Sequence, residues 1–211
     1  MKPTAAYDPH CRQCPRLAAY LDDVRAKFPA YHAAPVAPFG PEHARLLVVG
    51  LAPGMHGANA TGRPFTGDHA GILLYATLHA HGFCNQPKAL ARGDGLELRD
   101  CRITNAVKCL PPQNKPTPAE IRSCNSFLAA EIATVSPEII LALGRIAHEA
   151  VLRALGLRLA DHPFAHAAEH DLGADRGLID SYHCSRYNTQ TRRLTPAMFE
   201  ELFRGIRARL S

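Results

Sequence analysis

No apolar run among the 211 residues approaches the roughly 20 needed to cross a bilayer. The amino-terminal MKPTAAYDPHCRQC also lacks the apolar stretch of a secretion signal. These absences lead us to expect a cytoplasmic protein with no membrane partner. There is no HExxH pattern and no histidine tract, so most of the 12 histidines are expected on the surface or in loops. No GK[ST] follows the glycine-rich segment, which weighs against a Walker-type phosphate cradle. Internal repeats and low-complexity tails are absent as well. One domain over 1–211 is the simplest organisation, and the chain is long enough to bury a real core. The formal charge of +5 tilts it mildly toward anionic partners and excludes little.

What is present is an alternation of strands and helices. Residues 11–28 read as a poorly periodic helix, and 29–43 as a proline-rich loop. Arg45–Gly50 reads as a buried strand, Ala70–His81 as a helix and Cys101–Val107 as a second strand. Thr117, Pro118 and Glu120 mark a helix start as N-cap, first helical residue and capping-box partner. Glu138–Leu143 and Leu178–Tyr182 are further strands, with a helix over Gly144–Leu155 between them, and Thr195-Pro196 opens a last helix. The fold class is therefore α/β, with a mostly parallel sheet covered on both faces. Ligands of such sheets bind beyond the carboxyl ends of the strands. Segments 50–68, 105–116 and 183–190 leave those ends, rich in Gly, Pro, Asn and His, and should converge on one cleft.

Seven cysteines in such a chain suggest metal or catalysis before disulfides. Cys11 and Cys14 form a CxxC, and Cys109 and Cys124 add two distant thiols. That set suits tetrahedral zinc or a cubane iron–sulfur cluster, and spacing does not separate them. Cys84 and Cys101 read as structural. Cys184 directly follows His183, but neighbours on a strand face opposite sides, which weakens a Cys–His nucleophile pair.

Three stretches, GLAPGMHGANATGRPFTGD, ITNAVKCLPPQNKPT and SYHCSRYNTQTRRLT, together with CRQC…KC…SC, resemble the family 5 uracil-DNA glycosylases. The resemblance runs from Cys11 to about Thr195. It implies a three-layer α/β/α sandwich around a short central sheet. It also implies a structural [4Fe–4S] cluster on Cys11, Cys14, Cys109 and Cys124. The implied reaction is hydrolysis of the bond between deoxyribose and uracil, or another deaminated base such as hypoxanthine, leaving an abasic site. The partner would be damaged DNA, and the protein a monomer.

The chemistry of the residues fits that expectation. A base inside a duplex is out of reach, so the nucleotide must be flipped into a pocket. Phe65 is the only aromatic of the first cleft loop and the natural stacking platform. The glycines of 50–57 let backbone N–H groups approach the base or a phosphate, and Gly50, Ala52 and Gly54 are the substrate-binding candidates there. Family 4 enzymes carry Glu where this chain has Leu51, so Asp68 is the nearest carboxylate. It matches the family 5 active-site Asp, with water positioning or charge stabilisation as its role, and it also suits an N-cap. Asn114 matches an active-site Asn of the family. Asn105 departs from family 5, which often has Ala there, and occupies the family 4 uracil-reading position; an amide can pair with the uracil edge. His183 is placed to donate to O2 of the leaving base. Arg186 and Asn188, in the basic segment that follows, are expected to meet DNA, and Lys108 and Lys115 are similar cases. A strictly uracil-specific family 4 type enzyme and a non-catalytic iron–sulfur nucleic-acid module are the alternatives.

Overall fold

The computed structural model describes residues 6–173 and 175–211. Five strands form one sheet: β1 (Leu46–Gly50), β2 (Cys101–Asn105), β3 (Ile139–Leu143), β4 (Glu169–Asp171) and β5 (Gly177–Ser181), in the order β2-β1-β3-β5-β4. All neighbours are parallel except β4, which runs antiparallel on the edge of β5. Among the described residues seven α-helices accompany them: α1 (Pro15–Lys27), α2 (Ala58–Thr61), α3 (His69–Ala80), α4 (Pro118–Val135), α5 (Arg145–Ala154), α6 (Arg186–Gln190) and α7 (Pro196–Arg209).

The three layers follow from how β1 alternates. Leu46 and Val48 pack with Leu74 and Leu78 of α3 and with Phe199 and Phe203 of α7. Leu47 and Val49 turn to the other face, against Leu128 and Ile132 of α4 and Val151 of α5. A strand buried on both faces shows no polar alternation, hence the unbroken run LLVV. Each such side chain contributes about 1.5–3 kcal/mol on burial. A third cluster joins α1 to Val107 and Cys109 and to Cys124 and Phe127 on α4.

The expected helix start at Thr117 is present in full. Thr117 Oγ1 accepts from Glu120 N at 3.3 Å, and Glu120 Oε2 accepts from Thr117 N at 2.7 Å. The expected strand 101–107 ends earlier, at Asn105. Its backbone still tracks β1, because Ala106 N donates to Gly50 O and Val107 N to Leu51 O. Strand β4 and helices α2 and α6 were not anticipated; each is five residues or fewer, too short to build a periodic pattern. Among the described residues, no helix is long and apolar enough to cross a membrane.

Lys108 differs from expectation. It is buried, 3% exposed, and its ammonium donates to Glu131 Oε2 at 3.0 Å and to Thr104 Oγ1. It is therefore not among the lysines available to DNA phosphates. Glu131 also takes Arg102 Nε at 2.9 Å and Thr104 Oγ1 at 2.8 Å, and is itself 1% exposed. One carboxylate thus neutralises two cations under the loop that leaves β2. Removing it strands both, at a cost of about 3–5 kcal/mol. Glu131→Ala should therefore lower the unfolding free energy obtained from urea denaturation by an amount in that range. A loss under about 1 kcal/mol, as for an exposed pair, would contradict this reading of the network.

Candidate active site

The carboxyl ends of β1, β2 and β5 open on a single cleft of about 390 Å³. Its lining includes Ala52, Gly54, Phe65, Asp68, Asn105, Asn114, His183 and Arg186. Residues from all three expected loops therefore meet there. Gly50 sits beneath this lining. A Cβ on it would lie 2.5 Å from Asn105 Oδ1 and 2.6 Å from Phe65 Cζ, so only glycine lets the two side chains converge.

Phe65 is 6% exposed and belongs to the core cluster while one part of it borders the cleft. Its backbone is left-handed, with φ 53°, a costly state for an aromatic residue. Several contacts hold it. Tyr75 Oη donates to Pro64 O at 2.8 Å, and a Cβ on Gly71 would collide with the Phe65 carbonyl. On the other side Arg63 forms a two-pronged pair with Asp94, at 2.9 and 2.8 Å, which holds Asp94 far below the usual carboxylate range. Phe65 and His183 face one another with centroids 6.0 Å apart and an angle of 28°. Two stacking gaps of about 3.5 Å do not fit in that space, so no base sits between the rings.

Asp68 is both the cap and a cleft residue. Its Oδ1 accepts from Gly71 N at 2.9 Å at the start of α3. Its Oδ2 lies over the glycine loop, where a Cβ on Gly57 would come within 2.5 Å. Burial raises its pKa, against the opposing effect of the backbone N–H bonds of Gly71 and Ala70. Asn105 is 4% exposed, yet its amide has no hydrogen-bond partner among the described residues. A strand-end Asn that satisfied loop backbone would show one. Asn114, left-handed at φ 56°, is exposed and lies on the cleft's open side.

His183 keeps one side toward the cleft, with Gly144 packed close behind its Cβ at 3.5 Å from the position a side chain would take. Burial lowers its pKa to about 4, so the imidazole is neutral at pH 7. Neither ring nitrogen has a protein partner among the described residues, and one N–H is free to donate. Arg186 is exposed at the cleft mouth. Asn188 differs: its amide donates to His183 O at 2.8 Å, bracing the loop that carries the histidine. Cys184 is fully buried and burial pushes its thiol up to about 12, which suits a packed residue and not a nucleophile. Sequence reasoning missed Gly71, whose role is legible only once Phe65 is folded over it.

Cys11, Cys14, Cys109 and Cys124 line one small cavity beside α1 and are not joined in disulfides. A single tetrahedral zinc would bring its sulfurs to about 3.8 Å from one another. The four thiols share one lining, a donor set that suits a polynuclear iron–sulfur group as well as a single ion. Burial, with the neighbouring cysteines adding to it, pushes Cys109 up to about 12, so four thiolates require a cationic group between them. Lys108 N donates to Cys124 Sγ at 3.3 Å, as ligating sulfurs commonly accept.

A cleft at the parallel strand ends, walled by an aromatic, amides, a histidine and a carboxylate, suits an enzyme that excises bases from nucleic acid. Residues 37–207 match the model of the Uracil DNA glycosylase superfamily. The chain belongs to that superfamily and, within it, to the type 5 group. It is 49% identical to the Type-5 uracil-DNA glycosylase of Thermus thermophilus over 91% of this chain and 90% of that protein. The Mycobacterium leprae Type-5 uracil-DNA glycosylase is 45% identical, over 93% and 90%. A Type-4 uracil-DNA glycosylase of Thermotoga maritima is 40% identical over only 49% of this chain and 46% of its own.

Gly50→Ala tests whether the cleft depends on that close approach. The protein should fold, with Phe65 or Asn105 displaced, and lose at least about tenfold in kcat/KM on a uracil-containing oligonucleotide. Unchanged kinetics would show that the two side chains need not converge over Gly50.

Proposed function

We propose that this protein removes uracil from DNA by hydrolysing the N-glycosidic bond, leaving an abasic site. The observation that carries the proposal is the unpartnered Asn105 amide in a cleft shared with Phe65, Asp68, Asn114 and His183. The type 5 relatives, glycosylases by name, support it. Other deaminated bases, hypoxanthine among them, belong to the same proposal.

A flipped uracil rests against Phe65, with stacking that contributes about 1–3 kcal/mol. Gly50, Ala52 and Gly54 allow the loop backbone to close on it. The Asn105 amide accepts from N3–H and donates to O4. Asn114 closes the open side, and Arg186 meets a phosphate at the mouth. Water held by Asp68 Oδ2 attacks C1′ as the bond from C1′ to N1 breaks. The bonding pair moves into the base and gathers at O2, where the neutral His183 N–H donates. The ionised carboxylate also offsets the positive charge developing on the sugar, and the water proton passes to it or to solvent. The cleft lining contains no lysine, so no amine is positioned for the Schiff base that strand cleavage would need.

Cys11, Cys14, Cys109 and Cys124 hold a [4Fe–4S] cluster in this reading. Bound there, the cluster would clamp these four residues together, and no step of the reaction is routed through it. Cys109 and Cys124 bracket the loop that presents Asn114, so the clamp fixes that loop to α1.

His183→Ala should lower kcat by about 10²–10³ with DNA affinity largely kept, measured on a single-uracil duplex under single-turnover conditions; near-normal rates exclude the donor role. The Asp68 role has a pH signature. Because its pKa is raised, the ionised form is lost as pH falls through a value above 3.8. The acid limb of kcat/KM should lie above that value and vanish in Asp68→Asn, which should be slower by about 10²–10⁴. An Asp68→Asn enzyme that keeps both the rate and the limb would refute the assignment.

A further inference from the structure

Away from the cleft and the cysteines, one place among the described residues brings three metal-type ligands together. His148 on α5, His170 on β4 and Asp180 on β5 each offer one ligand atom, all within 4.8 Å of one another. His148 Nδ1 lies 2.8 Å from Asp180 Oδ1, and His170 Nε2 lies 3.0 Å from Asp180 Oδ2. The His148 and Asp180 side chains are 2% and 0% exposed, and that of His170 is 9% exposed. The second nitrogen of His148, Nε2, is 2.9 Å from the carbonyl oxygen of His162.

Proton accounting makes this arrangement informative. A carbonyl oxygen only accepts, so His148 Nε2 carries a hydrogen. An ionised carboxylate also only accepts, so Nδ1 would need a second one. Without a metal, the core must therefore hold an imidazolium or a protonated carboxyl. A cation bound at Nδ1 removes that requirement: His148 stays neutral, gives Nε2–H to the carbonyl and offers its Nδ1 lone pair. An N–H to backbone carbonyl bond of this kind is how metal-bound histidines are oriented. The His162 ring, its Nδ1 3.0 Å from Arg158 O, lies with its centroid 5.5 Å from that of His170.

We propose that His148, His170 and Asp180 form a second metal site, separate from the four cysteines, for a divalent ion of the zinc class. Two imidazoles and one carboxylate suit Zn²⁺, Co²⁺ or Ni²⁺. Tetrahedral donors around such an ion stand about 3.3 Å apart, so the present separations need only small outward shifts. Water takes the fourth position. The ion ties edge strand β4 and helix α5 to β5, which continues within three residues into His183. Its work is to stiffen the frame behind the histidine, without joining the chemistry.

The test uses holoprotein with its iron complement intact, so the cysteines are occupied. After dialysis against a chelator that spares the iron, the protein is equilibrated with micromolar Zn²⁺, and zinc and iron are counted by plasma mass spectrometry. The expected result is close to one zinc per chain with iron unchanged, and a rise in thermal midpoint on zinc addition. His170→Ala and His148→Gln should each weaken zinc binding at least tenfold and abolish that rise, with iron retained. Should both variants unfold, anomalous diffraction at the zinc edge from wild-type crystals must place the ion among the three residues. Wild-type holoprotein that takes up no zinc would overturn the proposal, leaving a hydrogen-bonded network. So would zinc that stays in both folded variants, or an ion located elsewhere in the crystals. None of these outcomes bears on the glycosylase reading, which is measured separately on uracil-containing DNA.

Discussion

The cleft depends on one steric constraint: nothing larger than a hydrogen fits on the α-carbon of Gly50. That position ends strand β1, which lies between β2 and β3. Asn105 and Phe65 both lean over it, one from the paired strand and one from a loop fifteen residues on. The convergence places a hydrogen-bonding edge and an apolar face side by side, which a planar base requires. The cost is a left-handed phenylalanine, held by Tyr75, Gly71 and the Arg63–Asp94 pair. Strain of this kind persists only where the surroundings over-determine it, and here core contacts supply the bracing.

A second set of forces holds the opposite wall. The loop carrying Asn114 runs between Cys109 and Cys124, and its backbone is further tied by Arg16, whose guanidinium donates to Lys115 O and pairs with Glu120. Glu120 in turn closes the capping box of α4. Cap, ion pair and cysteines therefore all restrain one short proline-rich turn. The same loop begins over the buried Glu131, which neutralises Lys108 and Arg102 beneath it. An apolar core alone would not fix so polar a turn, and polar anchoring at both ends does.

Much of this was legible in the sequence, for identifiable reasons. The runs LLVV and EIILAL mark strands buried on both faces, and Thr117-Pro118 with Glu120 marks a helix start by local chemistry alone. The three loop segments meet because parallel topology puts their strand ends on one edge. What was hidden depends on tertiary partners. Lys108 reads as a solvent-facing charge until Glu131, twenty-three residues later, is folded beneath it. Asn188 reads as a DNA contact beside arginines, whereas its amide braces His183. His148 and His170 look like scattered histidines because Asp180, which gathers them, sits in an ordinary-looking strand. A three-residue polar edge strand such as β4 carries no pattern of its own; it exists because β5 offers a free edge.

The two readings of Asp68, cap and reacting group, are not rivals once its two oxygens are considered separately. Oδ1 faces the start of α3 and accepts from Gly71 N; Oδ2 faces the glycine loop. The capping bond fixes the carboxyl plane, so the free oxygen is aimed without any further orienting side chain. The helix N-terminus and its N–H groups favour the ionised form, while burial opposes it, and burial is the larger effect. A carboxylate balanced in this way binds a proton more readily than an exposed one. Such a group can hold a water and offset a developing cation, whereas a strongly ion-paired carboxylate like Asp94 is already neutralised. Leu51 adds no competing carboxylate to the cleft, so the charge there rests with the residue that also begins the helix.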